Sequence, residues 1–281
     1  MKHETFVLDE RYPDCTMTTY IHEDSPEMPR VGRRAIVVCP GGGYQMLSDR
    51  EAEPIAMMYY AAGLNAFILR YSINERAAGD APLVEAALAV KYVRDHAAAW
   101  RIDPAYVFIT GFSAGGHVAA MCGTLWNDPV VREALGIDRG EAAEGVNRPT
   151  ATVLCYPVIT GGMYAHRGSM DMLCGCPSAG TAGAERYSME AHVDSTTSPA
   201  FVWHTYDDAC VPIQNSLMYV SALAAAGVPF EYHVYPTGNH GLALANAETS
   251  PIEGDTHLPY VNPVAAAWVG EAVRYVCRFG T

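Results

Sequence analysis

Tyr106-Val107-Phe108-Ile109-Thr110-Gly111-Phe112-Ser113-Ala114-Gly115-Gly116-His117-Val118-Ala119-Ala120-Met121-Cys122-Gly123-Thr124-Leu125 decides how the rest of the chain is read. Its first five residues are apolar or β-branched and bounded by glycine, as in a buried strand. Residues 114–125 are mostly small and apolar, contain no proline, and read as a helix. Between them, Gly111-Phe112-Ser113-Ala114-Gly115 matches Gly-x-Ser-x-Gly. A serine on so tight a strand-to-helix turn has its hydroxyl lifted above the sheet, and small neighbours let the backbones approach. The following helix aims its N-terminus at the place where negative charge develops in acyl transfer.

The same alternation extends both ways. Strands are expected at 35–39, 64–71, 151–156, 200–205 and 230–235, and helices at 51–62, 81–100, 213–226 and 263–278. Continuous apolar strands separated by helices imply an α/β fold, a mostly parallel sheet covered on both faces. A β-hairpin is expected before Gly32. Two stretches interrupt the series: 127–149 is polar and weakly patterned, and 161–199 is rich in Gly, Ser, Thr and Met. Long insertions in compact domains are usually lids or binding loops, so 161–199 is expected to form a small cap on a single domain spanning 1–281.

The chain has 281 residues, half of them apolar and 17% charged, enough for a large core. A net charge of -13 without a basic run argues against nucleic acid or an anionic membrane as partner. The N-terminal residues Met1–Thr5 contain no apolar segment of a leader peptide. The eight cysteines are scattered, and Cys39, Cys122 and Cys155 fall in core elements; free thiols in the cytoplasm are the expectation. Cys174-Gly-Cys176 has no second ligand pair at zinc spacing. A homo-oligomer stays open.

A serine hydroxyl needs a base, an acid that orients the base, and donors for the oxyanion. Pro40-Gly41-Gly42-Gly43-Tyr44, after the 35–39 strand, offers backbone N–H groups, with Gly42 and Gly43 as donors beside the N–H of Ala114. Trp203-His204-Thr205-Tyr206-Asp207-Asp208-Ala209-Cys210-Val211-Pro212 supplies the acid after a late strand. The Asp-x-x-Val-Pro spacing favours Asp208, with Asp207 the alternative. Gly238-Asn239-His240-Gly241 supplies the base, in the order Ser, Asp, His. His204 and His117 are expected to be scaffold residues, while His166 and His192 lie in the cap, where a substrate contact is open.

These motifs, with Leu69-Arg70-Tyr71 and Gly116-His117, resemble the α/β-hydrolase superfamily, in particular the acetyl esterase and lipase group related to hormone-sensitive lipase. Within it the chain looks most like bacterial xylan and carbohydrate esterases, from about Ala35 onward. The resemblance implies a serine esterase with Ser113 as nucleophile, Asp208 as acid, His240 as base and Gly42, Gly43 and Ala114 as oxyanion donors. It implies no metal and no organic cofactor. The partner it implies is a small ester, with short acyl groups and acetylated oligosaccharides leading. Pro40 stands where the group has histidine, and the group's helical N-terminal cap is missing. Tyr44, Gln45 and Met46 are expected to shorten the acyl side, with Tyr44 or Met46 closing it. Tyr164, His166, Arg167 and Tyr187 would give a polar cap on the alcohol side. A peptidase or amidase with the same triad, or a binding protein on an inactive hydrolase scaffold, are the alternatives.

Overall fold

The computed structural model describes residues 1–27, 32–253, 256–257 and 259–280. The strands are β1 (Lys2–Val7), β2 (Thr16–Ile21), β3 (Arg33–Cys39), β4 (Asn65–Arg70), β5 (Ile102–Phe112), β6 (Thr152–Cys155), β7 (Ala200–Thr205) and β8 (Phe230–Tyr235). They form one sheet in the order β1-β2-β4-β3-β5-β6-β7-β8. The β1–β2 hairpin joins antiparallel to β4, and every pairing from β4 to β8 is parallel. The helices are α1 (Glu53–Ala61), α2 (Ala81–Asp95), α3 (Ala97–Trp100), α4 (Ala114–Thr124), α5 (Pro129–Leu135), α6 (Arg139–Glu144), α7 (Arg167–Cys174), α8 (Ala182–Arg186), α9 (Gln214–Ala225) and α10 (Trp268–Cys277).

Side chains of a strand alternate between faces, and here both faces are covered. In β3, Ala35, Val37 and Cys39 join the core under α2, α4 and α9. Ile36 and Val38 face the other core, under α1 and α10. Each fully buried Val or Ile is worth about 1.5–3 kcal/mol of burial. Every residue of α4 is buried, which is why its sequence lacks a polar face. All eight cysteines are free thiols. Among the described residues no helix is long and apolar enough to cross a membrane.

The strand order reverses beside β3: the chain runs from β3 to β4 on one side, then crosses to β5 on the other. In such sheets a crevice opens at the carboxyl ends of the strands flanking the reversal. The Pro40–Tyr44 loop leaves β3 there and Ser113 follows β5.

Three expectations need correction. The helix expected over 81–100 divides at His96, whose ring stacks on Tyr92 and Trp100 at 4.0 and 5.0 Å between centroids. Apolar periodicity continues across the bend, so the sequence pattern alone does not reveal it. The 127–149 stretch holds α5 and α6. Asp128 caps the first, and a capping box between Asp138 and Glu141 starts the second. The start of the helix expected at 51–62 is a 3-10 turn, Asp49–Glu51, before α1.

Glu85 in α2 is fully buried and accepts hydrogen bonds from Ser72 N–H (2.8 Å) and Ser72 Oγ–H (2.5 Å). Burial pushes its carboxyl up to about 7; the Ser72 bonds oppose this and Asp14 adds to it. The folded form therefore holds a proton that the unfolded chain has released above its ordinary value of 4.5. Stability from this site is full below that value and is lost as the pH rises through 7, by about 3 kcal/mol in total. Glu85→Gln keeps the volume and can still pair with Ser72. It is expected to gain about 2–3 kcal/mol on the wild type between pH 5 and pH 8, read from urea unfolding at both values. A constant difference would contradict this account.

Candidate active site

Ser113 occupies the turn between β5 and α4 with φ 53° and ψ -118°. A non-glycine residue held there costs on the order of 1–3 kcal/mol, which the packed flanks supply. Its N–H donates to Cys155 O at 3.0 Å, and its carbonyl accepts from Val158 N and His117 N. The turn also needs Gly115: a Cβ there would come within 2.1 Å of Cys39 O. Ser113 is 8% exposed.

The loops after β7 and β8 bring two further residues to it. His240 Nε2 lies 2.7 Å from Ser113 Oγ, and His240 Nδ1 lies 2.6 Å from Asp208 Oδ2. A carboxylate can only accept, so Nδ1 carries the imidazole proton and Nε2 is left to accept from the serine hydroxyl. Asp208 Oδ1 accepts from the N–H groups of Cys210 and Val211, both at 2.9 Å. Burial works to raise the Asp208 carboxyl. Hydrogen bonds from His204, His240 and the Val211 N–H outweigh it and hold the group well below the usual carboxylate range. Asp207 faces elsewhere: its Oδ1 accepts from Gly238 N–H at 2.7 Å and anchors the turn that precedes His240. The imidazole thus meets Asp208 and not Asp207.

The Pro40–Tyr44 loop approaches from β3. Gly42 has φ 134°, and a Cβ on it would lie 2.2 Å from Met46 O, so only glycine fits. No acceptor among the described residues takes the N–H of Gly42, Gly43 or Ala114, although Gly42 O accepts from Gln45 and Met46. Three uncommitted donors therefore lie in the two segments that flank Ser113. Gly41 N–H is committed to Glu51 Oε2 at 2.8 Å.

The other histidines sort by their partners. His204 is fully buried, with Nδ1 2.6 Å from Ser216 Oγ and Nε2 3.0 Å from Val211 O and 3.3 Å from Asp208 Oδ2. It thus also meets the Asp208 carboxylate. His117 is buried between Tyr44 Oη and Tyr187 O, both at 2.8 Å, and burial pushes it down to about 4, so it is neutral. His192 meets Glu185 O. His166 faces the cleft. Its Nδ1 accepts from Ser169 Oγ (2.8 Å) and Ser169 N–H (3.3 Å), which leaves the proton on Nε2. Burial, with the nearby His240, lowers its affinity for a second proton.

The cleft has a volume of about 410 Å³ and is walled by Gly42, Gly43, Met46, Ser113, His166, Cys210, His240 and Tyr260 among others. Tyr44 does not line it: the ring is fully buried and its hydroxyl is spent on His117. The bulk at the loop tip is Met46, 55% exposed. Of the four polar residues expected from the 161–199 segment, only His166 reaches the cleft wall. Tyr187 is buried, and Arg167 donates to the carbonyls of Gly161 and Gly162.

Sequence reasoning missed Glu51, Arg50 and Tyr156. Glu51 is 3% exposed and also accepts from Tyr156 Oη–H at 2.7 Å. Arg50 Nη1 donates to Gly241 O and Thr249 O, and the guanidinium lies 5.1 Å from the centre of the Tyr260 ring. In sequence Arg50 and Glu51 belong to a charged run, Asp49-Arg50-Glu51-Ala52-Glu53, which reads as an exposed helix start.

Comparison with known proteins agrees with this architecture. The BD-FAE family matches residues 24–223. An endo-1,4-beta-xylanase B of Butyrivibrio fibrisolvens is 37% identical over 82% of the chain, and an acetylxylan esterase of Xylanibacter ruminicola is 32% identical over 78%. The chain spans 35% and 42% of the length of these two proteins. Among solved structures, an acetyl ester-xyloside bifunctional hydrolase from Caldicellulosiruptor lactoaceticus superposes with a TM-score of 0.80 at 32% identity, over 99% of this chain and 96% of that one. A carboxylesterase from Lactobacillus plantarum superposes with a TM-score of 0.83 at 30% identity, over 100% and 98%. The chain belongs to the BD-FAE family and has the α/β-hydrolase fold.

Proposed function

We propose that the protein is a carboxylic-ester hydrolase that works through an acyl-enzyme on Ser113. The observation that carries this reading is the unbroken chain Asp208–His240–Ser113, at 2.6 and 2.7 Å, beside the uncommitted N–H groups of Gly42, Gly43 and Ala114. His240 Nε2 takes the proton of Ser113 Oγ as the oxygen attacks the ester carbonyl. Asp208 holds the imidazole in the tautomer that leaves Nε2 free and stabilises the imidazolium that forms. The N–H donors meet the carbonyl oxygen as it becomes an oxyanion, each worth roughly 3 kcal/mol of barrier. His240 then protonates the departing alcohol, and water repeats the sequence in reverse to release the acid.

Short acyl esters of carbohydrates are the substrate class we favour. The acetylxylan esterase and acetyl ester-xyloside hydrolase among the relatives support it. So does the lining of the cleft, where Gln45, Ser48, Arg50, His166 and Tyr260 suit a hydroxyl-rich group. Met46 is the bulky apolar side chain at the oxyanion loop, and a longer acyl chain would have to displace it. Steric exclusion of this kind discriminates more sharply than the 1–3 kcal/mol that one methylene contributes by attraction.

A fluorophosphonate probe should label the wild type at Ser113, and kcat/KM for p-nitrophenyl esters should fall from acetyl to octanoyl. Met46→Ala should flatten that series. A kcat/KM that rises steadily from two to eight acyl carbons would refute the short-acyl reading. Aminoacyl anilides cleaved as fast as p-nitrophenyl acetate would favour an amidase, and a protein that the probe leaves unlabelled would favour a binding role.

A further inference from the structure

We propose that Glu51 is a positioning residue that fixes the oxyanion loop relative to the histidine loop. The inference rests on the serine-esterase reading above. Glu51 closes the 3-10 turn Asp49–Glu51, eight residues beyond Gly43 in a segment that carries no nucleophile, base or acid of the reaction. Its carboxylate is nevertheless buried, and no salt bridge to it exists among the described residues. Arg50 beside it donates to the carbonyls of Gly241 and Thr249. A buried carboxylate without a cation is costly unless donors satisfy it.

Two donors from different segments satisfy it, and a third segment joins through one of them. Oε2 accepts from Gly41 N–H (2.8 Å), one residue before the oxyanion donor Gly42. Oε1 accepts from Tyr156 Oη–H (2.7 Å), at the end of β6. Tyr156 Oη in turn accepts from Ala243 N–H (2.9 Å), three residues beyond His240. The Tyr156 ring also lies edge-on to the His240 ring, 5.1 Å between centroids. One carboxylate and one phenol thus link the loop that holds the oxyanion to the loop that holds the base. Tyr156 and Ala243 have φ of 37° and 51°, conformations that non-glycine residues keep only when fixed by such contacts.

Oxyanion stabilisation depends on donors placed to a few tenths of an ångström, and a misplacement of about 1 Å can cost on the order of 100-fold. The carboxylate touches no reacting atom, so its loss should lower kcat and spare KM. Glu51→Gln retains one acceptor oxygen but presents an amide N–H₂ to the other donor. We expect kcat for p-nitrophenyl acetate to fall by about 10- to 100-fold in Glu51→Gln and further in Glu51→Ala, with KM within about threefold of wild type. Tyr156→Phe removes only the bridging hydroxyl and should lower kcat by about three- to tenfold. Glu51→Gln combined with Tyr156→Phe should be no worse than Glu51→Gln alone by more than about twofold, because both cut one link.

A folded Glu51→Gln with kcat within about twofold of wild type, or a loss carried by KM, would overturn the proposal. If neither Glu51 variant folds, Tyr156→Phe decides by the same criterion. Ser113→Ala run alongside separates the two readings. An inactive Ser113→Ala with a normal Glu51→Gln overturns this inference alone, whereas an active Ser113→Ala overturns both.

Discussion

Replacing Ser113 by alanine is expected to lower kcat/KM for p-nitrophenyl acetate by about 10⁴- to 10⁶-fold while the protein stays folded. Removing one oxygen atom eliminates the group that His240 Nε2 contacts at 2.7 Å. No other hydroxyl or thiol among the described residues is bonded to His240: Cys210, which also lines the cleft, is held by its backbone to Asp208. The folded state loses little. Alanine meets the same left-handed backbone strain as serine at φ 53°, and Ser113 Oγ has no other partner among the described residues. The turn keeps its backbone bonds to Cys155, Val158 and His117. Thermal unfolding within about 2 °C of wild type, together with turnover reduced to the residual level that oxyanion donors alone provide, is the outcome that fits. Near-normal turnover by the folded variant would remove Ser113 from the mechanism.

Residues whose surroundings are local in sequence were the ones that could be read. The 35–39 and 106–110 strands are continuous apolar runs closed by glycine, and the elbow between β5 and α4 follows because its glycines and its serine lie within five residues. The order Ser113, Asp208, His240 follows from loops that leave β5, β7 and β8, parallel strands met in that order along the chain. What could not be read depends on contacts between distant loops. Glu51 is indistinguishable in sequence from Glu53, two residues later, which the fold leaves exposed. Only the approach of Gly41 and Tyr156 makes it a buried acceptor. Tyr44 was a reasonable candidate for the acyl wall by position alone. The φ of 61° at Tyr44 turns its ring into the core toward His117, and nothing in the neighbouring residues signals this. The helices α5 and α6 are too short to build an apolar period, yet Asp128 and the Asp138–Glu141 pair are start signals that a reading for caps would have used.

The second large effect distinguishes two adjacent carboxylates. Asp208→Asn is expected to lower kcat by about 10⁴-fold, whereas Asp207→Asn should stay within about threefold of wild type. Asp208 Oδ1 accepts from two backbone N–H groups at 2.9 Å, so an asparagine would place its oxygen there and its amide N–H₂ where Oδ2 now stands. That amide would donate to His240 Nδ1 and drive the proton to Nε2, the tautomer that cannot accept from Ser113. It would also face His204 Nε2, another donor, now 3.3 Å from Oδ2, so some loss of stability accompanies the loss of rate. Asp207 plays a different part. Its Oδ1 accepts from Gly238 N–H, and asparagine supplies the same acceptor without disturbing the imidazole. The pH profile adds a further check. Asp208 is held well below the usual carboxylate range, so the stability it contributes is present above the ordinary value of 3.8 and disappears only in stronger acid. The acid limb of kcat/KM should therefore not follow protonation of Asp208. Activity in Asp208→Asn comparable to wild type, with a collapse in Asp207→Asn, would exchange the roles of the two residues.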